Sequence, residues 1–345
     1  MKNWKKIKQN PDLKEQFLIR EKVIDGIRDF FKSNDFHEVE TPMMVKYPGT
    51  EPFLEVFETE LKWANGKRQQ AFMLTSPEFA MKKLLVAGFE NIFQVCKSFR
   101  NGEGISSRHN PEFTILEWYR SNASYEEIMQ DCQDLMLSLS KRVNGSDILE
   151  YQGKKYDLSK DWVKISVAEA FEKWVGVDID GLLDRNKMIE RAKQEGYQVD
   201  DKTTWEEVYN QLFLNLIESQ LVNYDVPVIL YDYPASQAAY SKKKQSDPRF
   251  AQRFEFYLGG YELGNAFSEE NDPKVQEEKF REDLQLRKEL GKTDYGMDED
   301  YLDALKEGLP PSGGIAVGVD RLVMLFANTK SIQETMFFPA QEVFE

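Results

Sequence analysis

The sequence predicts an α+β chain in which strands joined by turns alternate with amphipathic helices, and three observations carry that prediction. A β-type run, Ile92 to Cys96, leads into Arg100, and a Gly/Ser/Asn/Pro-rich loop follows. A second β-branched and aromatic run leaves the loop at Phe113 to Tyr119. Further on, Arg253 to Leu258, the pair Gly259-Gly260, and Tyr261 to Glu269 read as a hairpin. Between 13 and 35, Phe17, Val23, Ile24, Ile27, Phe30 and Phe31 recur at helical spacing, and 125–143 forms another amphipathic helix.

Taken in order, the first helix runs into the extended piece Phe36 to Pro42, where Thr41 is pushed to extended geometry by the proline after it. Asn65-Gly66 is a strong hairpin turn. Phe72 to Leu74 is strand-like. Thr75-Ser76-Pro77-Glu78 then opens a helix, with Ser76 able to cap, Pro77 at the first helical position and Glu78 in the first turn. The segment of about 160–222 reads as a mainly helical insertion broken at Gly176, Gly181 and Gly196. A strand follows at Pro227 to Tyr233, and a charged helix at 274–290. The last unit is a small-residue strand (Gly314, Ala316, Gly318) turning into an apolar helix, with Asp320 as its cap candidate and Arg321 in its first turn.

Period 2 on the strand after the loop puts Phe113, Ile115, Glu117 and Tyr119 on one face. A carboxylate and a phenol beside apolar groups read either as a solvated hairpin or as a site where Glu117 meets a cation. With Arg100, Arg108 and the flat ring of Phe113, the second reading is a nucleotide plus a cationic small molecule. Asn265, Phe267 and Glu269 share a face of the later hairpin, while Glu255 and Glu262 are read as facing each other across it. Such a pair is either solvated or holds a divalent cation, for which oxygen ligands suit Mg²⁺. Gly or Ala at alternate strand positions marks close approach of a ligand. An arginine at a helix N-terminus is unfavourable without an anion such as phosphate.

Composition bounds the rest. A chain of 345 residues fits two domains or one large domain with an insertion, and its net charge of −15 argues against nucleic acid as the main partner. Two cysteines do not make a disulfide framework, so the cytoplasm is the default. Two histidines make a zinc site improbable, and no run is long and apolar enough for a membrane span.

These pieces together resemble the class II aminoacyl-tRNA synthetase catalytic core of the lysyl type. The residues that carry the resemblance are Glu38-Val39-Glu40-Thr41-Pro42, Phe99-Arg100-Asn101 through Arg108-His109-Asn110-Pro111-Glu112-Phe113, Gly318-Val319-Asp320-Arg321-Leu322, and Arg253-Phe254-Glu255 with Glu262-Leu263-Gly264-Asn265. The resemblance implies a central antiparallel sheet flanked by helices, one catalytic domain over 1–345 and a homodimer. The chain begins almost at the first of these signatures, so no OB-fold anticodon domain is expected. Thr75-Ser76-Pro77-Glu78 and Ala316 bring it nearest to the stand-alone paralogue, the elongation factor P–(R)-β-lysine ligase. The loop after Arg100 is one residue longer than in either relative, and Ala266 stands where both have glycine, which would tighten the pocket.

The resemblance further implies ATP and Mg²⁺, with (R)-β-lysine or lysine as substrate, elongation factor P as acceptor and tRNA as an improbable partner. Arg100 would hold the substrate carboxylate and the α-phosphate. Phe113 would stack on adenine, with Glu103, His109, Asn110, Leu263 and Gly318 around the ATP, and Arg321 would bind the γ-phosphate. Glu255 and Glu262 would hold the metal. Glu78 would take the amino group near the carboxylate and Asn265 would help place the carboxylate, with Ser76 beside them. Glu117, Tyr119 and Glu269 would take the side-chain ammonium, with Ala316 beside them. Two other readings stay open: the same chemistry directed to tRNA, a lipid or another amino acid, and a non-catalytic paralogue.

Overall fold

The computed structural model describes residues 1–200, 202–238 and 240–345. Its strands are β1 (His37–Glu38), β2 (Met44–Val45), β3 (Glu58–Lys62), β4 (Arg68–Met73), β5 (Asn91–Phe99), β6 (Glu112–Ser121), β7 (Ile148–Tyr151), β8 (Lys154–Asp157), β9 (Val163–Ser166), β10 (Val228–Pro234), β11 (Phe250–Leu258), β12 (Tyr261–Ser268) and β13 (Ser312–Gly318). Eight of them form the main sheet in the order β1-β5-β6-β13-β12-β11-β10-β9. The six inner strands are antiparallel, and each edge carries one short parallel strand, β1 on β5 and β9 on β10.

Alternation along the strands sorts side chains into two layers. From β6, Leu116 and Trp118 enter the main core, where they meet the helices Leu13–Ser33, Tyr125–Asn144 and Val319–Phe326. Phe31 stacks on Phe93 there, and Trp118 lies beside it. The opposite face of β6 turns toward the helix Glu78–Val86 and the helices Pro273–Glu289 and Glu299–Gly308, which share a smaller core around Phe280 and Tyr301. Burying large aromatics on both faces anchors the middle of the sheet and leaves its strand ends to line a cavity.

The segment expected as a helical insertion is helical over most of its length, but it opens with β9, which joins the main sheet. Its helices bury their apolar sides against Val228, Leu230, Tyr233 and Tyr257. The hairpin β7–β8 escapes the sequence reading, because its turn is Gln152-Gly153 with both residues at positive φ. Asparagine or glycine normally announces that geometry at the first turn position; glutamine does not.

Four local expectations are corrected. Pro77 stands just before the helix Glu78–Val86, as its cap residue, and not at its first helical position. Gly318, not Asp320, is the cap residue of the last long helix. Asp320 is in its first turn, where Oδ1 accepts from Arg20 at 2.5 Å and Oδ2 from the Thr114 N–H at 2.7 Å. Ala266 is fully buried in the main core, so its methyl group does not tighten the pocket. Glu255 and Glu262 are not opposite each other: Asn265 pairs with Glu255 and Tyr257 with Glu262.

The reason for that last difference is a bulge. The register slips between Phe256 and Tyr257, leaving Leu263 without a partner on β11. Glu262 and Asn265 are three residues apart and would point to opposite faces of a regular strand; the extra residue brings both to the cavity.

Candidate active site

The ends of β6, β12 and β13, the loop Asn101–Pro111 and the loop around Glu51 enclose a cavity of about 290 Å³. Its floor is built from small residues by necessity. A Cβ on Gly314 would lie 2.3 Å from Glu269 Oε1 and 2.4 Å from the Tyr119 ring, so only glycine lets those groups converge. Ala316 sits two residues further along, paired in register with Glu117 on one side and Asn265 on the other.

One end of the cavity is acidic and buried. Glu117 is 1% exposed; its Oε1 accepts from Ser76 Oγ at 2.6 Å and its Oε2 from the Tyr119 hydroxyl at 3.1 Å. Burial, then the charge of Glu78, pushes its carboxyl up to about 8. Ser76 also accepts the Glu78 N–H at 3.1 Å, so one hydroxyl supports the helix start and orients the acid. Glu269 is equally buried and pushed up to about 7, burial again being the main cause.

Between Glu269 and Glu78 lies Lys82, which is wholly buried, with its Nζ 2.5 Å from each of them. Burial pulls the Lys82 ammonium down, but the charges of Glu269 and Glu78 override it and hold the group well above its ordinary range. Lys82 therefore neutralises part of the acidic end, and Glu117 is left with hydroxyl donors only.

The other end is rich in arginine and more open. Arg100 lies over the Phe113 ring at 5.3 Å, 3.6 Å from Glu103, and its buried Nε has no hydrogen-bond partner. Arg321 donates to the Glu262 carbonyl at 2.7 Å and to its Oε2 at 3.3 Å, and lies 3.3 Å from His109 Nε2. Burial and the Arg321 charge lower His109, which keeps its ring neutral at pH 7 and able to accept from the arginine. Arg108 covers Tyr261 at 4.8 Å.

The expected pocket residues on β6, β12 and β13, and Glu269 just after β12, line this one cavity: Phe113, Glu117, Tyr119, Glu262, Leu263, Asn265, Glu269, Ala316 and Gly318. Ser76, Arg100, Glu103, His109, Asn110 and Arg321 join them. Asn110 spends its amide on the scaffold, donating to the Glu112 carbonyl at 2.6 Å and accepting from Ala340 N–H at 3.0 Å. Asn265 Oδ1 accepts from Arg253 at 3.0 Å. Glu78 and Glu255 stand outside the lining, Glu78 through its contact with Lys82.

A divalent cation fits unequally here. Glu262 keeps Oε1 without a partner, and burial followed by repulsion from Glu255 raises its carboxyl, a repulsion that a cation would relieve. Glu255 is already saturated by Arg253 at 2.7 Å, Tyr233 at 2.7 Å and Tyr257 at 2.5 Å. Among the described residues no group of three or more His, Cys, Asp or Glu could form a protein-only cage. Of the two acids, Glu262 alone has an oxygen free for Mg²⁺, which would take its other ligands from water and phosphate.

Sequence reasoning missed Lys82, Glu51 and Leu54. Lys82 is four residues after Glu78, a spacing that more often marks a solvated pair. Only its place between Met81 and Leu85, both buried, hints that it points inward.

A model of the tRNA synthetases class II (D, K and N) matches residues 2–342. The lysine–tRNA ligase of Carboxydothermus hydrogenoformans is 36% identical over 333 residues, covering 96% of this chain and 66% of that protein. Those of Pelotomaculum thermopropionicum and Campylobacter jejuni are each 36% identical, over 335 and 334 residues, covering 96% of this chain and 64% of theirs. The chain thus spans about two thirds of the length of these relatives. With residues 2–342 matched by that model and the relatives aligned over 96% of its length, the chain belongs to the class II tRNA synthetase family (D, K and N).

Proposed function

We propose that the chain activates a lysine-like amino acid, (R)-β-lysine or lysine, with ATP to an aminoacyl-adenylate and passes the acyl group to a lysine of elongation factor P. The observation that carries the reading is the polarity of one cavity: buried acids at one end, arginines at the other. A side-chain ammonium would meet Glu117 and Glu269, and the carboxylate and phosphates would meet Arg100 and Arg321.

The chemistry needs little from a base. A carboxylate oxygen, already ionised at pH 7, attacks the α-phosphorus; that O–P bond forms as the bond to the β-phosphate oxygen breaks and pyrophosphate leaves. Positioning and cations that offset developing charge lower the barrier. Arg100 has an unpaired Nε to offer, and Arg321 can exchange Glu262 for a phosphate oxygen. Bound Mg²⁺, held by Glu262 with Glu255 behind it, would neutralise phosphate charge. In the second step an amine nitrogen attacks the acyl carbon, AMP leaves and the amine loses a proton.

Ala316 and Thr75-Ser76-Pro77-Glu78 favour elongation factor P as acceptor. A second reading, transfer to tRNA, is favoured by the relatives, each of which is named for tRNA; the expectation that tRNA is an improbable partner finds no support in them. Intact-mass measurement of elongation factor P after incubation with the chain, ATP and (R)-β-lysine decides between them. A mass gain of one β-lysyl group supports the reading, and charged tRNA(Lys) with unmodified factor sinks it.

The same reading takes the chain as a cytoplasmic homodimer. No described helix is long and apolar enough to cross a membrane. A groove of about 1870 Å³ runs beside the helix Leu13–Ser33 and β1, lined in part by exposed Met43, Phe337, Phe338 and Phe344. Light scattering that returned a monomer would count against the dimer.

A further inference from the structure

Two side chains of opposite charge line the cavity with polar atoms left unpaired among the described residues. Arg100 has a buried Nε without an acceptor. Glu51, which lines the same cavity, has a carboxylate with neither hydrogen bond nor ion pair among the described residues. Apart from burial, which pushes its carboxyl up to about 7, the strongest influence on Glu51 is the charge of Arg100, followed by those of Glu78, Asp283 and Arg253. An acid and a guanidinium that line one cavity without pairing with each other leave both available to a zwitterionic ligand.

Glu51 is also held in place. The wholly buried Arg287 donates one nitrogen to the Glu51 carbonyl at 2.9 Å and to the Leu54 carbonyl at 2.8 Å. Thr50, also buried, lies 3.0 Å from the Tyr240 hydroxyl, and Lys292 donates to the Phe53 carbonyl at 2.7 Å. A guanidinium spent on backbone carbonyls costs desolvation without an ion pair in return, so this loop is anchored at a definite position. Glu78, which the resemblance implies for the amino group near the carboxylate, stands outside the cavity lining and already shares Lys82 with Glu269.

We propose that Glu51 receives the amino group nearest the substrate's carboxylate, so that the anchored loop, and not the sheet, reads how far that amino group stands from the carboxylate. The cavity then takes a diamino carboxylic acid: carboxylate on Arg100, near amino group on Glu51, far ammonium on Glu117. The inference rests on the reading that the chain activates such an amino acid.

The test is ATP–pyrophosphate exchange with lysine and (R)-β-lysine, for the wild type and Glu51→Gln, alongside the inhibition constant of 6-aminohexanoate, which lacks the near amino group. Loss of one charge-assisted hydrogen bond raises the KM for the diamino acids roughly 10–100-fold. The KM for ATP and the inhibition constant of 6-aminohexanoate stay as they were, and Glu51→Asp, which keeps the charge, recovers part of the loss. A variant with unchanged KM overturns the inference and leaves the activation reading standing. Equal weakening toward 6-aminohexanoate also overturns it, since the loop would then be acting as a wall. A wild type that activates no diamino acid removes both.

Discussion

The acidic end of the cavity and the arginine-rich end are both charged, but they hold their charges differently. Glu117, Glu269 and Lys82 are 0–1% exposed, so their charges act at low effective dielectric and cannot be rearranged cheaply. Side chains at the other end are open by 22% at Arg321, 35% at Arg100 and 33% at Glu103, and their pairings run to 3.3–3.6 Å. The buried end is preorganised for one shape of cation, with Lys82 neutralising part of the acid excess. The open end holds arginines on provisional partners that an incoming anion can replace. On the proposed function, discrimination between amino acids would belong to the sheet and the Glu51 loop, and the driving charge for phosphoryl chemistry to the loop and helix ends.

Four measurements sharpen or break that comparison. Removing a cation from the reacting phosphate should do most: Arg100→Ala lowers the rate of ATP–pyrophosphate exchange roughly 10³-fold. A drop of only a few-fold would show that the open end does not supply the charge. Next, Glu269→Gln raises the KM for the amino acid roughly 10–100-fold while that for ATP stays within a factor of a few. Equal effects on both would place Glu269 outside the ammonium site.

The smallest effect concerns Glu117 and pH. Its carboxyl is raised to about 8 by burial and Glu78, with Ser76, Tyr119 and Lys82 the other groups facing it. The cation-binding form therefore grows as pH rises, and the KM for the amino acid should fall about tenfold between pH 6.5 and 8.5 at constant KM for ATP. The same shift costs stability. Because the folded chain holds this proton above its unfolded value of 4.5, stability falls as pH rises from 4.5 to 8. Glu117→Gln should then melt roughly 2–4 °C higher than wild type at pH 8, about what 1 kcal/mol gives in a large domain, while losing amino-acid binding. A variant that melted lower would mean that the hydroxyls of Ser76 and Tyr119 fully offset the buried charge.

The face of β6 was legible because period 2 needs no tertiary information: Phe113, Ile115, Glu117 and Tyr119 share a face in any strand, and the cavity lies on that face. The loop–strand arginine and the small-residue strand were legible for a similar reason, since glycine at alternate positions and a cation at a helix start are locally unfavourable without a partner. The bulge at Leu263 was not, because register slips depend on which strand lies alongside. Lys82 was not either, since a lysine four residues from a glutamate gives no sign of whether water or Glu269 is its second neighbour.

The sequence by itself determined the face of β6, two of the hairpins, most of the helices and the family-like set of acids and arginines, because local periodicity and local steric cost suffice for these. Tertiary structure decided which charges face one another. It joined Lys82 to Glu269 across 187 positions of chain, set Arg287 under the loop of Glu51, and left Glu117, Glu51 and the Arg100 Nε without ionic partners. Pairing of buried charges depends on distance in space and on the exclusion of water, and both arise only when the sheet, its bulge and the covering helices close together.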